Sequence, residues 1–259
     1  MKEYLKHNQR AWDLQVQKKN KWTVPVSTDE ITQAKKGVWQ VLLTPWKPVP
    51  SAWFPDLESK NVLCLASAGG QQGPILSAAG ANVIVYDLST EQLKQDQTVA
   101  KKESLTLQTI QGDMSDLSRF PDQHFDLIFH PVSNCFVHDI QPVWQESYRI
   151  LKSGGTLLAG FTNPLLYLFD ESNPNITPNL EIVHTIPYSD LEKLSNDQKE
   201  FYIRDGIPFE FGHTLEDQIG GQIAAGFIID GFYEDKHNPI DHPIYKHIST
   251  FMATRASKP

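Results

Sequence analysis

From residue 61 onward the chain alternates short apolar runs with segments whose apolar residues recur at helical spacing. The runs are residues 62–65 (VLCL), a second one ending at Asp87, the alternating Leu105, Leu107 and Ile110, the apolar stretch 125–129 (FDLIF), and residues 156–161. Each has the length of a strand, and turn residues bound it. Between them the pattern predicts a short helix after Gly73 and a second helix opened by a Ser89–Gln92 capping box, running toward Lys102 with Leu93 and Val99 facing inward. A third helix runs from Asp139 through Val143, Tyr148 and Leu151 to a Gly154–Gly155 stop. Strands alternating with helices in this way argue for an α/β protein with a parallel sheet.

The flanks read differently. Leu5, Trp12 and Val16 recur at helical spacing, and Ser27 with Glu30 opens a helix through Ile31, Ala34, Val38 and Leu42. Five tryptophans, including Trp22, fall before residue 60, with a stiff proline-rich exit at Pro45, Pro48, Pro50 and Pro55. Between Thr162 and Gly212 the periodicity fades among prolines and aromatics, with one strand-like run at residues 182–188. A structureless insertion of that length reads as a lid. Thr214 with Asp217 then caps a helix ending at Gly226, and the runs 227–233 and 249–254 pair as an antiparallel hairpin. The expected organisation is a helical N-terminal cap or extension over 1–60, a cofactor-binding core over 61–161, a lid insertion over 162–212, and the C-terminal part of the core over 213–259.

Composition narrows the classes of function. A net charge of −8 opposes association with polyanions, so neither nucleic acid nor an anionic membrane is an expected partner. No apolar run approaches the ~20 residues of a membrane span, and residues 1–13 hold no signal-peptide core. With only Cys64 and Cys135 there is no disulfide framework, which fits a reducing cytoplasm. His237, His242 and His247 lack the spacing of a zinc signature, so no metal is expected.

The candidate chemistry lies in the first strand-loop-strand unit. Small residues Ala66, Ser67, Ala68, Gly69 and Gly70 let a ligand approach the backbone, and Asp87 at the next strand tip can accept both vicinal hydroxyls of a ribose. The unit therefore predicts an adenosine-containing ligand. Dinucleotides and S-adenosylmethionine are both held this way, but the dinucleotide fingerprint needs glycine where Ala68 stands. At the third strand tip, Gly112-Asp113-Met114 offers an acid for the adenine amine and a thioether for its ring.

Taken together, this unit, the Gly-Asp-Met tip, FDLIFH, YRILKSGG and the terminal strand pair resemble class I S-adenosylmethionine-dependent methyltransferases over residues 56–255. VLCLASAGGQQGPILSAAGA and HPVSNCFVHDIQPVWQESYRILKSGG are similar to a bacterial small-molecule subgroup of that family. The resemblance implies a Rossmann-like, doubly wound, mostly parallel sheet with an antiparallel last strand. It also implies Ala66 to Gly70 around the methionine end, Asp87 and Leu88 at the ribose, Gly112, Asp113 and Met114 at the adenine, and His130 with Pro131 beside the sulfonium. The chain departs from the family loop D/E-x-G-x-G-x-G by placing Cys64 at the acid and alanines at two glycines.

The function so implied is methyl transfer to a small molecule, with S-adenosylmethionine as cofactor. An NAD(P)-dependent oxidoreductase and a non-catalytic S-adenosylmethionine-binding module are the alternatives. The loop after the fourth strand, His130-Pro131-Val132-Ser133, lacks the motif of amino-directed base methyltransferases. His130 is the expected general base, with His213 as second candidate.

Overall fold

The five apolar runs form five adjacent strands of one seven-stranded sheet, from one edge inward, in the computed structural model, which describes residues 2–169, 181–236 and 243–259. The strands are β1 Asn61–Leu65, β2 Asn82–Asp87, β3 Leu107–Gln111, β4 Phe125–His130, β5 Leu151–Thr162, β6 Tyr188–Ser189, β7 Phe211–Gly212, β8 Ile228–Asp235 and β9 Phe251–Ser257. The helices are α1 Glu3–Gln17, α2 Thr28–Ala34, α3 Gln72–Ala78, α4 Thr90–Glu103, α5 Gln141–Ile150, α6 Asp190–Lys193, α7 Asn196–Asp205 and α8 Gly221–Ala225. The sheet order is β3-β2-β1-β4-β5-β9-β8. β1 to β5 are parallel, and β9 runs antiparallel to both neighbours. Strand order reverses between β1 and β4, and a crevice opens there beyond their carboxyl ends.

Alternation along the central strands divides the core in two. Val62, Cys64, Leu127 and Phe129 face one layer, with Ile75 and Leu76 of α3, Leu93 of α4, and Ile31 and Leu43 of the N-terminal segment. Leu63, Leu65 and Ile128 face the other, with Val143 and Trp144 of α5 and Phe227 before β8. Cys64 is a fully buried free thiol in the first layer.

Five local readings change. α2 ends at Ala34, because the chain turns at Gly37 (φ +82°) and continues extended, leaving Val38 exposed. Gly154 and Gly155 do not stop a helix: β5 begins at Leu151 directly after α5, and Gly154 (φ +76°) lies within the strand near an irregularity in its pairing with β4. The described residues of 162–212 hold more regular structure than expected, namely a 3-10 turn at Pro164–Leu168, α6 and α7. Of the strand foreseen at 182–188, only Tyr188–Ser189 forms, paired with Phe211–Gly212. The helix foreseen from Thr214 begins as a π turn, Glu216–Gly220, before α8.

α1 ties the N-terminal segment to both neighbours. Asp13 Oδ1 accepts the Ser89 hydroxyl at 2.6 Å and the Glu91 amide at 3.1 Å, at the start of α4. Buried Asn8 pairs with the Phe209 backbone in both directions, at 3.0 and 2.8 Å. Tyr4 and Leu5 pack with Phe209, Phe211 and Leu194.

Candidate active site

The loops after β1 to β4 meet in a cavity of about 940 Å3, near the upper end of the roughly 300–1,000 Å3 usual for small-molecule sites. Its walls include Ala66, Ser67 and Ala68 after β1, Asp87 and Leu88 at β2, Gly112, Asp113 and Met114 after β3, and Pro131 after β4. Residues 40–45 of the N-terminal segment and Tyr167, Tyr188 and Glu210 from 162–212 close the remaining sides.

Asp87 sits at the hinge of these loops, where its carboxylate accepts the Ala68 amide at 3.1 Å and the Ser89 amide at 2.9 Å. Burial pushes it up to about 6, against the lowering effect of those amides. Asp113 Oδ1 accepts the Ser115 amide at 2.9 Å and turns the chain without starting a helix. Ser67 is buried, lines the cavity, and its hydroxyl has no hydrogen-bond partner. A buried hydroxyl without a partner, carried by a residue of the cavity wall, is a group that a bound polar atom completes. Ala66 adopts φ +46°, a left-handed conformation uncommon for a residue with a Cβ.

Three expected cofactor contacts, Gly69, Gly70 and His130, lie off the cavity wall. Gly69 (φ +119°) and Gly70 (φ +75°) are not on the cavity wall. A Cβ on Gly69 would lie 3.0 Å from the Trp22 carbonyl oxygen, and one on Gly70 would lie 2.9 Å from Pro25 Cβ. Their missing side chains therefore admit the N-terminal segment, not a ligand. The two glutamines that follow fasten the same segment. Gln71 Nε2 donates to the Lys21 and Val24 carbonyls at 3.1 and 2.9 Å, and Gln72 Oε1 accepts the Leu42 amide at 3.1 Å.

Neither histidine reaches the cavity, which corrects their expected role as bases. His130 ends β4 with its ring turned inward toward Trp144, fully buried. Its Nδ1 meets the Leu65 carbonyl at 2.9 Å and its Nε2 the Asn134 side chain at 2.6 Å. Burial holds its pKa below the ordinary value. His213 Nε2 donates to the carbonyls of Asn134 and Val137 at 3.1 and 2.9 Å, and burial lowers its pKa too. Both rings brace the 130–137 loop. Among the described residues, no cluster of His, Cys, Asp or Glu has the geometry of a metal site; His237 and His242 lie outside those residues.

The sequence reading missed Asp96. This α4 residue is fully buried, and its Oδ2 accepts the Gly69 amide at 2.9 Å. Burial raises it to about 7, while the Gly69 and Gly70 amides draw it down and Asp87 adds to the rise. Its signal was present, because Asp96 falls on the helix face of Leu93, Val99 and Ala100, where an unpaired charge is out of place.

The family model of a methyltransferase domain matches residues 63–159. The uncharacterised methyltransferase YbaJ of Bacillus subtilis is 49% identical over 258 residues, covering 100% of both chains. Among solved structures, an S-adenosylmethionine-dependent methyltransferase from Mesorhizobium loti superposes with a TM-score of 0.62 at 16% identity, over 80% of this chain and 94% of that one. A geranyl diphosphate methyltransferase in complex with S-adenosylmethionine does so with a TM-score of 0.55 at 13% identity, over 89% and 86%.

Proposed function

The chain belongs to the class I S-adenosylmethionine-dependent methyltransferases, and from that premise we propose that it methylates a small molecule inside the cavity, enclosed by residues 1–60 as a cap and 162–212 as a lid. The observation that carries this reading is the shared wall: one cavity touches the loops after β1 to β4 and both flanking segments.

The residues present fit the cofactor. The buried Ser67 hydroxyl lacks a partner on a residue of the cavity wall, and the Asp87 carboxylate at the β2 tip is placed to take two ribose hydroxyls. Ala66 and Ala68 would leave room for the methionine end, and Asp113 and Met114 would hold the adenine, with Leu88, Gly112 and Pro131 completing the wall. A dinucleotide fits poorly. Its diphosphate needs free amides, whereas here the Ala68 and Gly69 amides are committed to Asp87 and Asp96. Asp87, raised only to about 6, keeps most of its charge at pH 7, which disfavours a diphosphate and favours a cationic sulfonium. Asp87 also places negative charge beside a loop whose family acid is here Cys64.

The cofactor supplies an electrophilic methyl group. The chain's contribution is to align the acceptor with that methyl and to exclude water, effects that support displacement without a histidine base. The Pro131 backbone and residues 40–45 bring the two ligands together from opposite flanks, held by the bond from the Val132 amide to the Leu43 carbonyl at 3.0 Å. We also assign the protein to the cytoplasm, consistent with two buried free cysteines, and exclude nucleic acid as acceptor on its net charge of −8. Among the described residues, no helix is long and apolar enough to cross a membrane.

Hydrogen exchange tests the enclosure. Added S-adenosylhomocysteine is expected to protect amides in both 20–26 and 188–212; protection confined to the β1 and β2 loops would contradict it.

A further inference from the structure

On the cavity wall contributed by the described residues of 162–212, two tyrosines stack, and each hydroxyl donates a hydrogen bond to a carboxylate. The Tyr167 and Tyr188 rings lie 5.4 Å apart at 21°. Tyr167 donates to Glu210 Oε2 at 2.7 Å and Tyr188 to Asp190 Oδ1 at 2.7 Å. Asp190 Oδ2 also accepts the Glu210 amide at 2.7 Å, which fixes the two acids relative to each other. The His184 ring lies 5.0 Å from Tyr188, and all five residues line the cavity.

This arrangement selects a charge. A phenol that donates its one proton to a carboxylate leaves a wall of acceptors and π faces. Asp190 is 4% exposed, and burial raises its pKa, against the bonds from Glu210 and Tyr188 and the influence of His184. Among the described residues it makes no ion pair with Lys or Arg. Around the whole cavity, the described lining holds Glu30, Asp87, Asp113, Asp190 and Glu210 against Lys21 as its one lysine or arginine. Lys21 belongs to the N-terminal segment, with its ammonium over the Trp22 and Trp46 rings. The orphaned Ser67 hydroxyl independently marks the same cavity as one that a ligand completes.

We propose that the methyl acceptor is a protonated small amine, recognised by Asp190 and Glu210 against the stacked faces of Tyr167 and Tyr188; this deepens the methyltransferase reading above and rests on it. An ammonium relieves the burial of Asp190 and gains a cation–π contact with the tyrosines. A carboxylate or phosphate acceptor meets repulsion, and a neutral alcohol gains neither interaction. In the reaction the ammonium yields one proton to the partly exposed Glu210, and its freed lone pair forms the N–CH3 bond as the S–CH3 bond breaks. That bond's electron pair stays on sulfur as a neutral thioether. The products are a methylammonium and S-adenosylhomocysteine, with one proton released overall.

The test uses the full chain saturated with S-adenosylhomocysteine and ligand sets matched in shape: phenethylamine, 2-phenylethanol and phenylacetate, then hexylamine, hexanol and hexanoate. Affinity is read by thermal shift, and N-methylated product by mass spectrometry with S-adenosylmethionine. The amine is expected to bind about tenfold or more tighter than its matched alcohol and acid. Glu210→Gln is expected to erase that preference while keeping S-adenosylhomocysteine affinity, and Tyr188→Phe, which leaves ring and acid in place, to retain it. Failure of S-adenosylhomocysteine to bind the wild type would overturn the methyltransferase reading. Cofactor binding with no amine preference, or with no response to either amine, would overturn this proposal alone.

Discussion

The Asp96 carboxylate accepts the Gly69 amide at 2.9 Å and so ties the loop after β1 to the helix after β2. Because Asp96 is fully buried, the bond is shielded from water and the loop is held from behind, away from the cavity.

That burial has a pH signature. Asp96 rises from its ordinary 3.8 to about 7, so across this window the folded chain holds a proton that the unfolded chain has released. Its contribution to stability is therefore greatest at low pH and declines as pH rises toward 7. Asp96→Asn is expected to remove the slope. Its melting temperature relative to wild type should climb by about 3 °C or more between pH 5 and pH 8, equivalent to ~1 kcal/mol. A difference that does not change with pH would contradict the assignment.

His130 is expected to behave as a brace. Its lowered pKa keeps it neutral in the fold, whereas the unfolded chain takes up that proton below about 6.5. Its contribution is thus lost as pH falls below that value. His130→Asn is expected to cost about 1–3 kcal/mol of stability by leaving buried groups unpaired. An NMR titration in the folded protein should show no transition near pH 6.5; one there would restore His130 as a candidate base.

The N-terminal segment docks where residue 43 crosses β5. A methyl group on Gly160 would overlap the Leu43 carbonyl, which already accepts the Val132 amide at 3.0 Å. Gly160→Ala is expected to lower urea stability by about 1–3 kcal/mol, the cost of overpacking. An unchanged midpoint would mean that the segment does not dock there.

The central strands were legible because their apolar runs are short and fully buried, and the antiparallel β8–β9 pair showed as two runs after a capped helix. α2 was overextended because apolar periodicity continues through Val38 and Leu42, past the left-handed turn at Gly37. β6 and β7 are two residues each, too short to leave a pattern. In the site, strand tips placed Asp87, Asp113 and Pro131 on the wall. Side-chain direction was harder to read. His130 follows the strand alternation that turns Ile128 toward Trp144, so the strand's pleat, not its position at the tip, decides where the ring points. Gly69 and Gly70 resembled ligand contacts because a glycine that admits a cofactor and one that admits another chain segment are the same letter.

Calorimetric titration of S-adenosylhomocysteine into the wild type and Asp87→Asn tests most directly whether the cofactor occupies this cavity with its ribose on Asp87. The account predicts one binding site in the wild type. The folded variant should bind about tenfold or more weakly, for the loss of charge-assisted hydrogen bonds worth roughly 1.5–3 kcal/mol each. No binding by the wild type, or equal affinity in a folded Asp87→Asn, would contradict it.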